Sequence, residues 1–99
     1  MNAPLGSSKP LVGIRVLTLE QFGAGPYGTM FLAELGAEVI KVEAPEGDPS
    51  RQVGPYKLGA DDSEYFQAWN LGKKSVTLDI KSADGRRQFE DLVKTADCV

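Results

Sequence analysis

The residues Gly23-Ala24-Gly25-Pro26-Tyr27-Gly28 carry the G-x-G-x-x-G spacing that lets a backbone close around a pyrophosphate. Glu43 stands twenty positions after Gly23, where an acid that takes ribose hydroxyls is expected in a dinucleotide-binding unit. Two features turn the pattern away from that chemistry. In the fingerprint an apolar strand runs almost directly into the first glycine, so that the helix N-terminus meets the phosphates. Here Glu20-Gln21-Phe22 intervenes, and Glu20 directs negative charge toward a negative ligand. The distance from glycines to acid is also about one helical turn short of the usual flavoprotein spacing. A small FAD- or NAD-binding module stands as one reading; glycines that only permit a tight turn and close helix packing stand as another.

The other reactive side chains are carboxylates and cations. The chain has no histidine and a single cysteine, Cys98. That removes Ser-His and Cys-His nucleophile pairs, cysteine or histidine metal clusters and any internal disulfide from this segment. No metal site is expected. Asp48 and Asp79 are the carboxylate candidates for a nucleophile. Lys73, Lys74 and Lys81 suit phosphates as point charges that bind without demanding fixed geometry, although lysines of this kind most often lie solvated on the surface. Arg51 suits the same task, or pairs with Asp48. Tyr65, Phe66 and Trp69 read as core or interface rather than as a stacking platform. Cys98 reads as a buried small hydrophobe.

These groups need elements to hold them. Leu11 to Leu19 is rich in Val, Ile and Leu, as a parallel strand covered on both faces must be. Pro26 suits the first turn of a helix, where its missing N–H costs nothing. Tyr27, Met30, Phe31 and Leu35 fall on one helical face, and Gly36 is the expected stop. Glu38 to Glu43 makes a second strand, which completes a βαβ unit. Residues 44–62 lack periodicity and read as a long loop. A short helical piece is expected over Glu64 to Trp69. Val76, Leu78 and Ile80 alternate with polar residues as a third strand. Ser82 caps a helix with Phe89, Leu92, Val93 and Ala96 inward, and with Glu90 and Lys94 as a surface pair. Cys98 and Val99 look like the opening of a fourth strand. The fold class is therefore α/β: a Rossmann-like parallel sheet with flanking helices, reaching the start of a fourth strand where the chain stops. A stop there reads as the end of a fragment.

Composition bounds the rest. With 99 residues the chain is one domain at most, and 41% apolar residues suffice for a core. The net charge of −3 gives no basic field for nucleic acid. No apolar run approaches the ~18 residues of a membrane span, and residues 1–10 read as a flexible polar arm without the apolar centre of a signal peptide. Neither nucleic acid nor membrane is an expected partner, and the cytoplasm is the default location.

Taken together, Ala24-Gly25-Pro26, Leu35-Gly36-Ala37-Glu38-Val39-Ile40-Lys41-Val42-Glu43, Gly47-Asp48-Pro49-Ser50-Arg51 and Lys73-Lys74-Ser75-Val76-Thr77-Leu78-Asp79-Ile80-Lys81 resemble the amino-terminal end of a family III CoA-transferase. This group, also called CaiB/BaiF, includes formyl-CoA transferase and carnitine CoA-transferase, and the resemblance runs from about Leu11 to Val99. It implies that 11–99 is the amino-terminal part of a large domain. It also implies an enzyme that moves CoA from an acyl-CoA to a small carboxylic acid, through a covalent aspartyl-CoA intermediate, with no permanently bound cofactor and with two interlocked subunits. The same resemblance carries CoA contacts onto Gln21, Phe22, Gly23 and Ala24, and onto Leu78, Asp79, Ile80 and Lys81. It places the nucleophilic aspartate and an Asn-Phe loop beyond Val99. Three positions depart from the family pattern. Gly23 stands where several formyl-CoA transferases carry glutamine, Ala44 where a basic residue often follows strand 2, and Gly72 where Asn-x-Asn-Lys-Lys has its second asparagine. An α-methylacyl-CoA racemase or epimerase, working by proton transfer, shares this fold and is not separated from a transferase by these residues. A non-catalytic CoA-binding or partner-binding remnant is the reading if the chain is the whole gene product.

Overall fold

A computed structural model of the chain describes residues 9–99. Most of the polar arm expected over 1–10 lies outside the described residues. Strand β1 (Arg15–Thr18) leads into helix α1 (Ala24–Glu34) and strand β2 (Glu38–Glu43). A single 3₁₀ turn (Pro49–Gln52) and a hairpin of β3 (Lys57–Gly59) with β4 (Asp62–Ser63) follow. Helix α2 (Glu64–Trp69), strand β5 (Lys74–Thr77) and helix α3 (Ala83–Thr95) complete the order.

The sheet is parallel, with β2 between β1 and β5. Val16 pairs with Val39, and Val42 with Val76. On the free side of β1, Cys98 forms a parallel bridge to Val16, and the Leu17 amide donates to the Cys98 carbonyl. A fourth strand therefore opens beside the first, which gives the spatial order 3-2-1-4 of a doubly wound sheet. Val16, Leu17, Val39, Ile40 and Val42 are buried, as near-continuous apolar strands in such a sheet must be.

Several expectations are revised by packing. The first strand is shorter than Leu11 to Leu19 because residues 11–13 turn back, with Gly13 at φ 92° and the Ile14 amide bonded to the Leu11 carbonyl. Gly36, at φ 106°, ends α1 as expected. The buried face of that helix, however, is set by Pro26 and Met30, with Ala33 against the core. Tyr27, Phe31 and Leu35 remain exposed to 43–47%. The Tyr27 ring meets Phe31 edge-on at 4.8 Å and Trp69 at 5.4 Å, so the aromatics fill the seam between α1 and α2 rather than the sheet face.

The third strand ends at Thr77, and Leu78 keeps one sheet-like bond to the Glu43 carbonyl. The long loop contains the 3₁₀ turn and the hairpin, which no apolar alternation announces. Lys94 lies 3.8 Å from Asp91 rather than pairing with Glu90. Cys98 is exposed rather than a buried hydrophobe.

Candidate functional site

At the carboxyl ends of β1, β2 and β5 the chain exits leave a cavity of about 320 Å³. Leu19, Val42, Leu78 and Ile80 give it apolar walls, and its polar lining is Gln21, Lys81 and five acids, Glu20, Glu43, Glu46, Asp48 and Asp79. Crevices at this end of a parallel sheet are where doubly wound folds take ligands. Each wall has a local cause. The Leu78–Lys81 turn is closed by Asp79, whose side chain accepts from the Lys81 amide at 3.1 Å. The hydroxyl of Ser82 donates to the Asp79 carbonyl at 2.8 Å while also accepting from the Gly85 amide at the start of α3. Helix α3 can approach this turn only because residue 85 is glycine: a Cβ there would collide with the Asp79 carbonyl.

Three of the lining acids, Glu20, Glu43 and Asp48, belong to a set of buried charges. The Lys41 side chain is 1% exposed, and its ammonium lies 2.8 Å from Asp48 Oδ2 and 3.5 Å from Glu20 Oε2. Asp48 is equally buried, and its Oδ1 accepts from the Ser50 amide at 2.9 Å and the Ser50 hydroxyl at 2.8 Å. Burial alone raises the Asp48 pKa, but bonds from Lys41 and Ser50 outweigh it and leave it below the usual carboxylate range. Arg51 grips Glu43 with two nitrogens, at 2.8 and 2.7 Å, and lies 3.8 Å over the Phe66 ring. Burial opposes ionisation of Glu43 as well. Bonds from Arg51, from the Ser75 hydroxyl and from the Asp48 amide overcome it and hold the pKa at about 2. The Lys73 ammonium donates to the Pro26 carbonyl and to Asn70 Oδ1, both at 3.0 Å. Its burial pushes its pKa down to about 8 against the pull of Glu20.

The glycine loop is occupied by the chain itself. A Cβ on Gly25 would come within 2.5 Å of the Glu20 Cβ, so the glycine exists to admit the Glu20 side chain beside α1. The Glu20 carboxylate then accepts from the Thr29 hydroxyl at 2.7 Å and faces Lys41 and Lys73. The glycine loop thus packs against the Glu20 side chain. Glu43, in the ribose-acid position, is committed to Arg51.

Of the residues assigned CoA contacts in the sequence, Gln21, Leu78, Asp79, Ile80 and Lys81 come together around the cavity. Phe22, Gly23 and Ala24 are not among its lining residues; they form the turn behind it and the start of α1. Arg51 pairs with Glu43 instead of Asp48, and Lys73 is 2% exposed instead of solvated. Lys41 was not anticipated at all. The one signal for it is a lysine at the centre of an otherwise apolar strand, Val39-Ile40-Lys41-Val42, where a cation survives only with buried acids around it.

Residues 11–99 match the pattern of CoA-transferase family III. The chain belongs to that family. It is 46% identical over 89 residues to the succinyl-CoA:mesaconate CoA-transferase of Haloarcula hispanica, covering 87% of this chain and 22% of that protein. It is 45% identical over 96 residues to the succinate–glutarate CoA-transferase of Agrobacterium fabrum, covering 91% of this chain and 24% of that protein. A CaiB/BaiF family protein from Brucella suis, known from its crystal structure, superposes with a TM-score of 0.83 at 43% identity, covering 90% of this chain and 24% of that one. The chain thus spans less than a quarter of the length of these curated relatives.

Proposed function

We propose that this chain is the amino-terminal part of the large domain of an acyl-CoA:carboxylate CoA-transferase, and that it supplies the wall that receives CoA. The observation that carries this reading is the cavity at the strand ends, onto which Gln21 and Leu78–Lys81 converge. Leu19, Val42, Leu78 and Ile80 offer apolar surface to a flat heterocycle, and Lys81 offers a charge for phosphate. The chemical step is assigned to an aspartate outside residues 9–99. Its carboxylate attacks the thioester carbonyl and expels CoA thiolate, leaving a mixed anhydride. The thiolate then attacks the aspartyl carbonyl, releasing the first acid and leaving an aspartyl-CoA thioester that the acceptor acid resolves. The whole protein is proposed to be an interlocked homodimer of the cytoplasm.

Four acids at the cavity are poor nucleophiles for this step. Glu20, Glu43 and Asp48 are ion-paired, and Asp79 sits in an exposed turn bonded to the Lys81 amide. The relatives' names point to succinyl-CoA as donor with mesaconate or glutarate as the first acceptors to try. The protein that carries this segment in full is expected to transfer CoA between them and to form a hydroxylamine-sensitive enzyme thioester. The 99-residue chain alone is expected to form none; an adduct on Asp79 or Asp48 would overturn the assignment. Lys81→Ala in the active protein should weaken CoA binding by about 1–2 kcal/mol, as read by calorimetry. Unchanged affinity would return Lys81 to the solvated surface.

A further inference from the structure

Gln21 is held in the cavity wall by backbone groups on both of its sides, and both are pinned by one buried ion pair. On the N-terminal side, the Lys41 ammonium donates to the Glu20 carbonyl at 3.1 Å. On the C-terminal side, the Phe22 amide donates to Asp48 Oδ1 at 3.3 Å. Lys41 and Asp48 are joined to each other at 2.8 Å, and each side chain is 1% exposed. Phe22 has φ 63°, the one non-glycine residue with positive φ among those described. A bulky residue in that region is strained and persists only where its surroundings over-determine it. Its ring gains little in return, being 46% exposed. The strain is therefore sustained from the backbone side, by the Asp48 carboxylate.

We propose that Asp48, clamped by Lys41, is a positioning residue: it fixes the β1 exit turn so that Gln21 stays in the cavity wall, and thereby sets the affinity for acyl-CoA. The inference rests on the CoA reading above. Although Asp48 belongs to the cavity lining, its carboxylate is turned inward and acts through the turn. The pair also ties two walls into one unit, because the Asp48 amide donates to Glu43 Oε1 at 2.8 Å at the end of β2. A shift of the 3₁₀ turn is passed to Gln21 without any contact between them.

The test uses the full protein that carries this segment, with Asp48→Asn, which keeps an acceptor of the same shape but removes the anion. Asp48→Glu is the second variant; it keeps the charge and displaces the oxygen that takes the Phe22 amide. Amide hydrogen exchange over Gln21–Ala24 should accelerate in both. The KM for acyl-CoA should rise about ten-fold, as expected for loss of a bond to a charged group, with kcat within about two-fold. In a Phe22→Gly background, where positive φ is free of strain, Asp48→Asn should change KM by no more than about two-fold. Unchanged exchange at Gln21–Ala24 overturns the inference, as does a loss of kcat with KM intact, which reports a smaller folded fraction. Faster exchange in the variants of a protein whose unaltered form binds no CoA would instead sink the CoA reading and leave the clamp standing.

Discussion

Glu43 and Lys73 are two buried charges whose depressed pKa values both make stability rise with pH, each in its own window. The Glu43 carboxyl titrates at about 2 in the fold and near its ordinary value of 4.5 when unfolded. Its contribution, on the order of 3 kcal/mol, is present above pH 4.5 and is lost as pH falls toward 2. Lys73 acts in the same direction at higher pH, because burial penalises its charged form. Its folded pKa of about 8 lies below the ordinary 10.5, so the unfolded chain holds more protons in that window and stability rises with pH through it. Urea midpoints measured from pH 3 to 10 should show both slopes. Arg51→Ala should flatten the acid limb and cost about 3–5 kcal/mol at neutral pH, because it leaves Glu43 buried and unpaired. An unaltered acid limb in that variant would remove Arg51 as the cause. That Arg51 pairs with an acid was legible in the sequence. Which acid was not, since Asp48 is near in sequence while Glu43 is brought close only by the path of the loop. Lys41 and Lys73 were hidden for a related reason: a lysine's burial depends on acids that the fold delivers from elsewhere.

Helix α3 and the Leu78–Lys81 turn are locked together by a missing side chain. Gly85→Ala must push α3 away from the Asp79 carbonyl, and it is expected to cost about 1–3 kcal/mol. It should also loosen CoA binding through the displaced turn. Gly28→Ala is the control, since its added methyl meets nothing within 4 Å inside α1 and should be neutral or stabilising by up to about 1 kcal/mol. Thermal unfolding and CoA titration of the two variants check the pair; equal effects would refute the packing argument. Helix α3 could be read in advance from its cap Ser82 and its apolar face, and α2 from the spacing of Tyr65, Phe66 and Trp69, whereas the Ser63 cap of α2 is seen only in the structure. The β3–β4 hairpin could not. Lys57–Gly59 is exposed throughout and carries no alternation; Lys57 donates to Gln52 and to the Ala60 carbonyl, and Gln52 donates to Asp61 across the loop.

For the molecule as a whole, the sheet has β5 at its outer edge, and apolar residues stand open around it. Leu19, Phe22, Leu71 and Ile80 are 39–55% exposed, alongside the aromatic seam of Tyr27 and Phe31. Open strand edges and apolar surface of this kind favour association. The 99-residue chain, prepared alone, is therefore expected to self-associate as its concentration rises. Sedimentation velocity checks this, and a monodisperse monomer with a sharp thermal transition would contradict it. The alternation of strand and helix gave away the α/β class and the parallel β1–β2 pair. That Cys98 joins β1 on the side away from β5 was not in the spacing, since a crossover of either reach fits the same chain length.

Glu20 beside the glycine loop has a consequence best put in terms of tethering. A carboxylate carried on the chain is a ligand at an effective concentration fixed by its tether, in the millimolar range or above for short connections. It does not dilute, does not diffuse away and already has Thr29, Lys41 and Lys73 as partners. The glycine signature in this chain thus marks the seat of its own carboxylate, which also lines the cavity at the strand ends.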